Sequence, residues 1–272
     1  MRLSEARKIM MDLGVRPRRS LGQHFLVDER VITRCAEYAD IRKGEKILEI
    51  GPGIGFLTEK LVETGGSVTV IESDRKFCEY LGDKFGDSLT VILGDATKTD
   101  LPPFDKVVSN LPYNISSEIT FRLLERKFGL AVLMYQKEFA ERLVAGEGSA
   151  VYGRLSVMAD YKAESEILES VSRRSFWPEP QVDSAVVRFR VRPPRFHVED
   201  ERLFVDIVRI LFSHRRKKIY NALISETKFL GIAKEKIREI ASEIPYSDER
   251  VEMLTPQEIG EIADYFWEIK EE

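Results

Sequence analysis

The segment KILEIGPGIG, residues 46–55, decides the fold of this 272-residue chain. It joins an apolar run, typical of a buried strand, to a glycine-rich turn that opens a segment of helical periodicity at 55–64. Glycines let such a turn bend tightly and bring the N-terminus of the helix close to a polar ligand. The glycine spacing is GxGxG instead of the GxGxxG of dinucleotide-binding turns, which argues against a nicotinamide cofactor.

Outward from this segment, short runs rich in Val and Ile alternate with helix-like stretches. The predicted strands are 46–50, 67–72, 89–93, 105–109, 130–135, 165–170 and 184–191. The predicted helices among them are 55–64, 75–84, 116–125 and 137–145. Alternation of this kind predicts the α/β class, with a parallel sheet and crossover helices. Such a sheet binds its ligand at the carboxyl ends of its strands.

The pattern changes after RPPRF at 192–196. Only helix-like segments follow, near 201–213, 216–226, 233–243 and 256–268. We therefore predict an α/β domain of residues 1–192 and a small all-helical domain of residues 193–272. The first 30 residues are basic, and we expect them to lie over the α/β domain and not in its sheet.

Composition limits the class of protein. Hydrophobic residues make up 43% and charged residues 32%, which is enough for a packed core. The apolar runs match neither a membrane span nor a secretory signal, so we expect a cytoplasmic protein. The two cysteines, Cys35 and Cys78, are 43 positions apart, and neither a disulfide framework nor a metal site is indicated.

Charge is distributed unevenly along the chain, although the formal net charge is only −4. Basic residues outnumber acidic ones by six to two in 1–24 and in 173–195, and by five to none in 209–220. Residues 234–272 hold twelve acids and five bases. The basic stretches could form one phosphate-binding face, or they could be ordinary solvated surface.

Polar residues follow three of the predicted strands. Glu72 ends the second strand, Asp95 follows the third and Asn110 follows the fourth. Each alone could be a turn former or a helix cap. Together they suit a nucleoside without a pyrophosphate, because Glu72 can accept bonds from ribose hydroxyls and Asp95 lies at the depth of an adenine amino group. We therefore predict S-adenosylmethionine as the cofactor.

The segment NLPYNISS at 110–117 resembles the motif of methyltransferases that act on adenine N6. Segments with the same resemblance are RRSLGQHFLVD (18–28), LEIGPGIGFLT (48–58), IESD (71–74), GDA (94–96), YGRLSV (152–157), FWPEPQVDSAVVRF (176–189) and FSHRRKKIYNAL (212–223). In this order they are similar to the small-subunit ribosomal RNA adenine N6,N6-dimethyltransferase family, the kasugamycin-sensitivity methylase and its archaeal and eukaryotic counterparts. The resemblance implies a Rossmann-like class I methyltransferase sheet in 1–192 and a helical domain that contacts RNA or the ribosome in 193–272.

The resemblance also implies roles for individual residues. Cofactor contacts are expected from His24, Leu26, Gly51, Glu72, Asp95 and Asn110. Catalytic positions are Asn110, Leu111, Pro112, Tyr113 and Phe176. In this arrangement the Asn110 oxygen and the Leu111 carbonyl accept the N6 protons of an extruded adenine, and Tyr113 and Phe176 stack on its faces. Many bacterial members have Asn at the position of His24, so the role of that side chain stays open.

RNA binding is expected from the basic first 30 residues, which we call the N-terminal arm, from the region 173–192 and from HRRKK at 214–218, which we place on a helix. The candidate residues are Arg18, Arg19, Arg215, Arg216, Lys217 and Lys218. The family acts on two neighbouring adenines in the hairpin loop near the 3′ end of small-subunit ribosomal RNA. The resemblance therefore implies an immature small subunit as the partner, and nothing in the sequence demands a dimer.

Four alternatives stay open on the sequence. An assembly factor in which methylation is secondary would keep the fold. A methyltransferase for large-subunit ribosomal RNA is a close relative, and a DNA adenine methyltransferase shares an Asn/Asp-Pro-Tyr turn. A nicotinamide dehydrogenase is the general alternative for such a sheet, and the GxGxG spacing argues against it. The 176–189 segment and the helical C-terminal part favour the small-subunit enzyme.

Overall fold

The structure is a computed structural model that describes residues 2–17, 22–226 and 230–271. Its strands are β1 (Phe25–Leu26), β2 (Lys46–Ile50), β3 (Ser67–Glu72), β4 (Leu89–Leu93), β5 (Lys106–Asn110), β6 (Leu130–Gln136), β7 (Ala163–Val171), β8 (Phe176–Trp177) and β9 (Ser184–Val191). The α-helices that it describes are α1 (Leu3–Asp12), α2 (Glu29–Tyr38), α3 (Phe56–Glu63), α4 (Arg75–Phe85), α5 (Ser116–Leu124), α6 (Lys137–Leu143), α7 (Arg154–Lys162), α8 (Glu201–Phe212), α9 (Ile219–Ser225), α10 (Lys234–Glu239) and α11 (Pro256–Glu271). In the described part of the chain, no helix combines the length and the apolar composition that a bilayer span needs.

Seven strands form one sheet in the order β4-β3-β2-β5-β6-β9-β7. Neighbouring strands from β4 to β6 are parallel, and β9 is antiparallel to β6. The predicted α/β class is confirmed, but the sheet is mixed and not wholly parallel, since β9 runs antiparallel to β6. The chain runs outward from β2 to β4 and returns to β5 on the other side of β2. At this reversal a crevice opens at the carboxyl ends of β2 and β5.

The strands and helices of the sheet region form for local reasons. Leu130–Tyr135 of β6 are all buried, as expected for a strand covered on both faces. Asp28 and Asp74 cap the N-termini of α2 and α4, because their side chains accept hydrogen bonds from the N–H groups of Arg30 and Lys76. The core of the sheet and the ends of its helices are therefore both specified by nearby residues.

The N-terminal segment lies against the sheet region without joining the seven-stranded sheet. Helix α1 buries Ala6, Ile9 and Met10, and the backbone N–H of Arg2 donates to the oxygen of Val27 (2.7 Å). Strand β1 pairs antiparallel with β8 to form a separate two-stranded sheet. The described residues of this segment thus lie outside the seven-stranded sheet, and α1 and α2 were not predicted.

The chain divides into two compact units, 1–140 with 165–191 and 141–164 with 192–272. The second unit is helical and includes α7, whereas the predicted boundary after residue 192 assigns 141–164 to the first domain. Within this unit, α8 packs against α7 and α11. The ring of Tyr161 lies 4.9 Å from that of Phe196 and 4.8 Å from that of Phe204, between centroids. These contacts give the helical unit an aromatic core of its own.

The segment 214–218, which we call the basic turn, is not helical, contrary to the prediction. It connects α8 to α9. The backbone oxygens of Arg215 and Lys217 accept hydrogen bonds from the N–H groups of Glu252 (3.0 Å) and Val251 (3.1 Å). Because those oxygens are engaged with another segment, they are unavailable for the bonds of a continuous helix.

Candidate active site

A cleft of about 300 Å³ opens at the carboxyl ends of β2, β3, β4 and β5. Its walls are the residues that follow these strands, together with the segment 22–26 of the N-terminal arm. Parallel strands present their carboxyl ends at one edge of the sheet, so residues that are distant in sequence meet there. The cleft lies wholly within the first compact unit.

The turn between β2 and α3 forms one side of the cleft. Gly51, Gly53 and Gly55 have φ angles of 68°, 56° and 78°, which other residues adopt only with strain. A Cβ on Gly53 would lie 2.7 Å from Cε1 of Phe25, and a Cβ on Gly51 would lie 3.0 Å from Cδ of Pro112. The glycines therefore let the N-terminal arm and the loop after β5 close onto this turn.

Glu72 at the end of β3 lines the cleft with a carboxyl group in a fixed position. The residue is only 6% exposed. Its Oε2 accepts a hydrogen bond from the N–H of Gly53 (3.1 Å), and Oε1 accepts one from the N–H of Asp74 (2.9 Å). Burial raises the pKa of Glu72, and these hydrogen bonds act in the opposite direction. A carboxylate held in this way can accept bonds from neighbouring hydroxyl groups with little loss of side-chain entropy.

Asp95 follows β4 and is exposed. Its Oδ1 accepts hydrogen bonds from the hydroxyl (2.7 Å) and the N–H (2.9 Å) of Thr97, which lower the pKa of Asp95. Arg122 of α5 braces the same loop, because its guanidinium donates to the backbone oxygens of Ala96 and of Thr99 (3.0 Å). Asp95 is thus an ionised acceptor on a fixed loop, which suits an amino group of a ligand.

Asn110 at the end of β5 carries an acceptor with no partner. Its Nδ2 donates to the backbone oxygen of His24 (3.1 Å), and this bond sets the direction of the amide. Its Oδ1 is buried and receives a hydrogen bond from none of the described residues. Leaving a buried polar atom unpaired costs roughly 1–3 kcal/mol, and of the described atoms of this kind only Oδ1 of Asn110 belongs to a residue that lines the cleft. The oxygen is therefore held ready for a donor that a ligand brings.

The loop after β5 is tightened at Pro112. The backbone oxygen of Pro112 accepts hydrogen bonds from the N–H of Ile115 (3.1 Å) and the hydroxyl of Ser116 (3.4 Å). Leu111, Pro112 and Tyr113 all line the cleft. Asn110 and Leu111 are consecutive residues and both line the cleft, so this loop brings a side-chain oxygen and a backbone oxygen to it.

Tyr113 is held from two sides. Its hydroxyl shares a hydrogen bond of 2.6 Å with Oγ of Ser184. Its ring stacks on the imidazole of His24, with the centroids 5.6 Å apart and an angle of 24° between the planes. His24 is itself fixed, because its Nδ1 donates to the backbone oxygen of Pro178 (2.7 Å). The ring of Tyr113 therefore has a defined orientation.

The structure brings nearly all the predicted cofactor and catalytic residues together in the cleft. Those that line it are His24, Leu26, Gly51, Glu72, Asp95, Asn110, Leu111, Pro112 and Tyr113. Phe176 does not line the cleft: it is 3% exposed, belongs to the hydrophobic core and pairs through β8 with Leu26 of β1. Leu26, which is the partner of Phe176 in this pairing, lines the cleft, whereas Phe176 does not.

The predicted RNA-binding residues lie elsewhere. Arg18 and Arg19 fall outside the described residues. Arg215–Lys218 belong to the second compact unit. The guanidinium of Arg215 donates to the oxygens of Ala150 (2.8 Å) and Ser149 (3.2 Å). Arg216, Lys217 and Lys218 are exposed, so the four basic residues are not equivalent.

Glu49 and Ser184 are two site residues to which sequence reasoning gave no role. Glu49 lines the cleft, is 2% exposed and accepts a hydrogen bond from the hydroxyl of Thr58 (2.7 Å). Burial raises the pKa of Glu49 to about 8. The signal for Glu49 was an acid two positions before Gly51, and Ser184 stood within the segment 176–189. No pattern in the sequence shows that Ser184 meets Tyr113.

The residues of the cleft fit S-adenosylmethionine. Gly51 and Gly53 line the cleft, the carboxyl groups of Glu72 and Asp95 match hydroxyl and amino groups, and the oxygen of Asn110 has no donor among the described residues. A sheet with this reversal of strand order and a cleft of this chemistry define a class I methyltransferase that uses S-adenosylmethionine.

Comparison with known proteins identifies the family. A family model described as "Ribosomal RNA adenine dimethylase" matches residues 14–262. The chain is 43% identical to the "Probable ribosomal RNA small subunit methyltransferase A" of Methanococcoides burtonii, covering 97% of this chain and 98% of the relative. It is 45% identical to the protein of that name in Methanothermobacter thermautotrophicus, covering 96% and 95%. The chain belongs to the ribosomal RNA adenine dimethylase family, so the family predicted from the sequence is confirmed.

Solved structures show the same fold. A dimethyladenosine transferase from Plasmodium falciparum has a TM-score of 0.78 at 27% identity and covers 90% of this chain and 98% of that chain. The 23S rRNA methyltransferase ErmE has a TM-score of 0.67 at 28% identity and covers 89% of this chain and 99% of that chain. The predicted class I methyltransferase fold and its cofactor are thus confirmed.

Proposed function

We propose that this enzyme transfers methyl groups to N6 of two adjacent adenines in the 3′-terminal hairpin loop of small-subunit ribosomal RNA, giving N6,N6-dimethyladenosine. The family and the names of the curated relatives support this substrate. The observation that carries the chemistry is the buried, unpaired Oδ1 of Asn110 in the cleft. An amide oxygen is the kind of acceptor that an amino group of a base requires.

The contacts of the cleft support specific roles in cofactor binding. Bound S-adenosylmethionine supplies a methyl group on a positively charged sulfur that leaves as a neutral thioether. The carboxylate of Glu72 accepts bonds from the ribose hydroxyls, and Asp95 accepts one from the adenine amino group. Gly51, which Pro112 approaches closely, is assigned to the methionine portion, and His24 and Leu26 also line the cleft.

The oxygens at Asn110 and Leu111 address the weak nucleophilicity of the target. The lone pair of adenine N6 is delocalised into the purine ring. When Oδ1 of Asn110 and the backbone oxygen of Leu111 each accept a hydrogen bond from one N6–H group, the nitrogen becomes pyramidal and its lone pair can point at the methyl group. No strong base is needed, because the N6 proton becomes acidic once the new N–C bond places positive charge on the nitrogen, and the proton then passes to water. The rate comes from orientation and fixed dipoles.

The target base must leave its stack, which costs a few kcal/mol. Stacking on the ring of Tyr113 recovers roughly 1–3 kcal/mol of that cost. Phe176 offers no ring face to the base in this structure, because it is 3% exposed and belongs to the hydrophobic core. Tyr113 is therefore the first aromatic contact of the base.

Binding to the substrate particle relies on basic side chains outside the cleft. We assign phosphate contacts to the exposed Arg216, Lys217 and Lys218 of the basic turn and to Arg18 and Arg19 of the N-terminal arm. Arg215 contributes by holding the turn to residues 149–150. We further propose that the enzyme is a cytoplasmic monomer and that its substrate is an immature small subunit.

Two other functions compete with this proposal. The likeness to ErmE, at 28% identity, keeps large-subunit RNA as a candidate substrate. A role in which binding to the particle matters more than methylation is the other. In that case an Asn110→Ala variant would keep the full biological activity of the protein, because only methyl transfer depends on that amide.

Transfer of labelled methyl groups to isolated particles tests the proposal. The purified protein is incubated with labelled S-adenosylmethionine and with immature small subunits or immature large subunits. We expect label in the small-subunit RNA alone. Label confined to large-subunit RNA would support the alternative substrate, and absence of label from both would contradict the proposed activity.

A further inference from the structure

Ser184 is a buried serine whose hydroxyl faces the proposed base-binding wall. It is the first residue of β9, has no solvent exposure and stands opposite Gln136 of β6 in the sheet. Because β9 is paired with β6, its backbone cannot shift there without breaking ladder hydrogen bonds. The hydroxyl of Ser184 is therefore a fixed point, and it lies 2.6 Å from the hydroxyl of Tyr113.

Tyr113, in contrast, begins a short 3-10 turn and has two side-chain torsions to fix. The bond to Ser184 restrains the far end of the ring. The stack on His24 restrains its face, and His24 is tied to the backbone oxygen of Pro178. Burial raises the pKa of Tyr113, so its hydroxyl stays protonated and keeps both its donor and its acceptor capacity at neutral pH.

The imidazole of His24 packs against the ring of Tyr113, and the target base does not insert between these two rings. A base between two rings needs two stacking distances, about 7 Å in total. The centroids of His24 and Tyr113 are only 5.6 Å apart. No base fits between the two rings, so the side chain of His24 acts on Tyr113.

We propose that Ser184 is a positioning residue that, together with His24, fixes the ring of Tyr113 before the target adenine arrives. The proposal rests on the proposed function, in which Tyr113 is the wall for the extruded base. An aromatic wall that is already ordered loses less conformational entropy when the base stacks on it. Ser184 should therefore matter for the RNA-dependent step and not for cofactor binding.

A double-mutant cycle with Tyr113→Phe and Ser184→Ala tests this role. Each single variant removes one of the two hydroxyl groups, and we expect each to lower kcat/KM for the particle roughly tenfold. The double variant should lose no more than either single variant, because the same bond is already absent. Calorimetry should show that all three bind S-adenosylmethionine as the wild type does.

Ser175→Ala is the matched control. Ser175 is also a buried serine of the same unit, and its hydroxyl donates to Asp28 (3.2 Å) instead of Tyr113. We expect this variant to keep kcat/KM even if its thermal midpoint falls. A Ser184→Ala variant with wild-type kcat/KM, or losses that multiply in the double variant, would overturn the positioning role. Failure of the proposed function is distinguishable, because the wild type itself would then transfer no methyl group to small-subunit RNA.

Discussion

The sequence predicts a functional role for both the cleft and the basic turn, but the polar groups of the two regions differ in whether they have hydrogen-bond partners. In the cleft, Oδ1 of Asn110 is buried and finds no donor among the described residues. In the basic turn, the guanidinium of Arg215 pairs with Glu252 (3.0 Å) and donates to two backbone oxygens. The difference is that the cleft keeps a buried acceptor without a donor among the described residues, whereas Arg215 of the basic turn is engaged in contacts within its own unit.

The largest effect is expected from Asn110→Ala. The variant removes the acceptor that orients the target amino group, so we expect kcat for methyl transfer to fall about 10²–10³-fold. Binding to the particle should be unchanged, since the proposed phosphate contacts lie elsewhere. Single-turnover transfer rates and filter binding measure the two quantities.

Asn114 provides the matched control for that variant. It is an exposed asparagine in the same loop. We expect Asn114→Ala to lose far less activity than Asn110→Ala. Equal losses in the two variants would mean that the loop as a whole, and not the unpaired oxygen of Asn110, determines the rate.

Glu49→Gln tests whether burial in the cleft changes the free energy of unfolding with pH. The carboxyl group of Glu49 has an ordinary pKa of 4.5 when unfolded and a pKa of about 8 in the folded protein. The folded state therefore holds a proton that the unfolded state releases, so the free energy of unfolding falls as pH rises from about 4.5 to about 8. The glutamine variant lacks this loss and should be more stable than the wild type by a few kcal/mol at the upper end of that range. Denaturant unfolding at a series of pH values checks this, and parallel profiles for the two proteins would show that Glu49 does not titrate in this way.

Gly53→Ala tests the close approach of the N-terminal arm to the glycine turn. The new Cβ would meet the ring of Phe25 at 2.7 Å, so the arm must move away from the cleft. We expect S-adenosylmethionine to bind roughly tenfold more weakly, in addition to about 1 kcal/mol of backbone strain. Gly44→Ala is the control, because Gly44 also has a positive φ, 83°, but no atom lies within 4 Å of the added Cβ. Equal affinity in the two variants, measured by calorimetry, would remove the arm from the cofactor site.

The smallest effect distinguishes residues within the basic turn. Arg216→Ala should leave the thermal midpoint unchanged, weaken binding to the particle a few-fold and reduce the slope of log affinity against log salt by about 1. Arg215→Ala should lower the thermal midpoint and leave affinity for the particle nearly unchanged, because it removes three contacts within the helical unit. A variant of Arg215 that keeps its stability but loses affinity would break the distinction.

Much of the sheet could be predicted because its strands are continuous apolar runs. All of Leu130–Tyr135 in β6 are buried, and the predicted strand has nearly the same bounds. The positions of Glu72, Asp95 and Asn110 followed for the same reason, since parallel strands bring their carboxyl ends to one edge. The order of the strands therefore brings residues that are distant in the sequence together in one site.

Helix α7 could not be predicted from periodicity. Six of its nine residues are buried, among them Leu155, Val157, Met158 and Tyr161, so no polar face reveals a helical repeat. The burial of Phe176 depends on the pairing of β8 with β1, which lies near the N-terminus. The basic turn is bent by bonds to residues 251–252. Each of these features comes from contacts between distant segments, which a local pattern does not contain.

Mass spectrometry of the 3′-terminal fragment of small-subunit RNA tests the central claim, that the amide of Asn110 orients an adenine amino group for methyl transfer. Immature subunits are incubated with S-adenosylmethionine and either the wild type or Asn110→Ala. We predict two adjacent N6,N6-dimethyladenosines with the wild type and none with the variant at equal particle occupancy. Full dimethylation by the variant, or unmodified adenines after incubation with the wild type, would contradict this account.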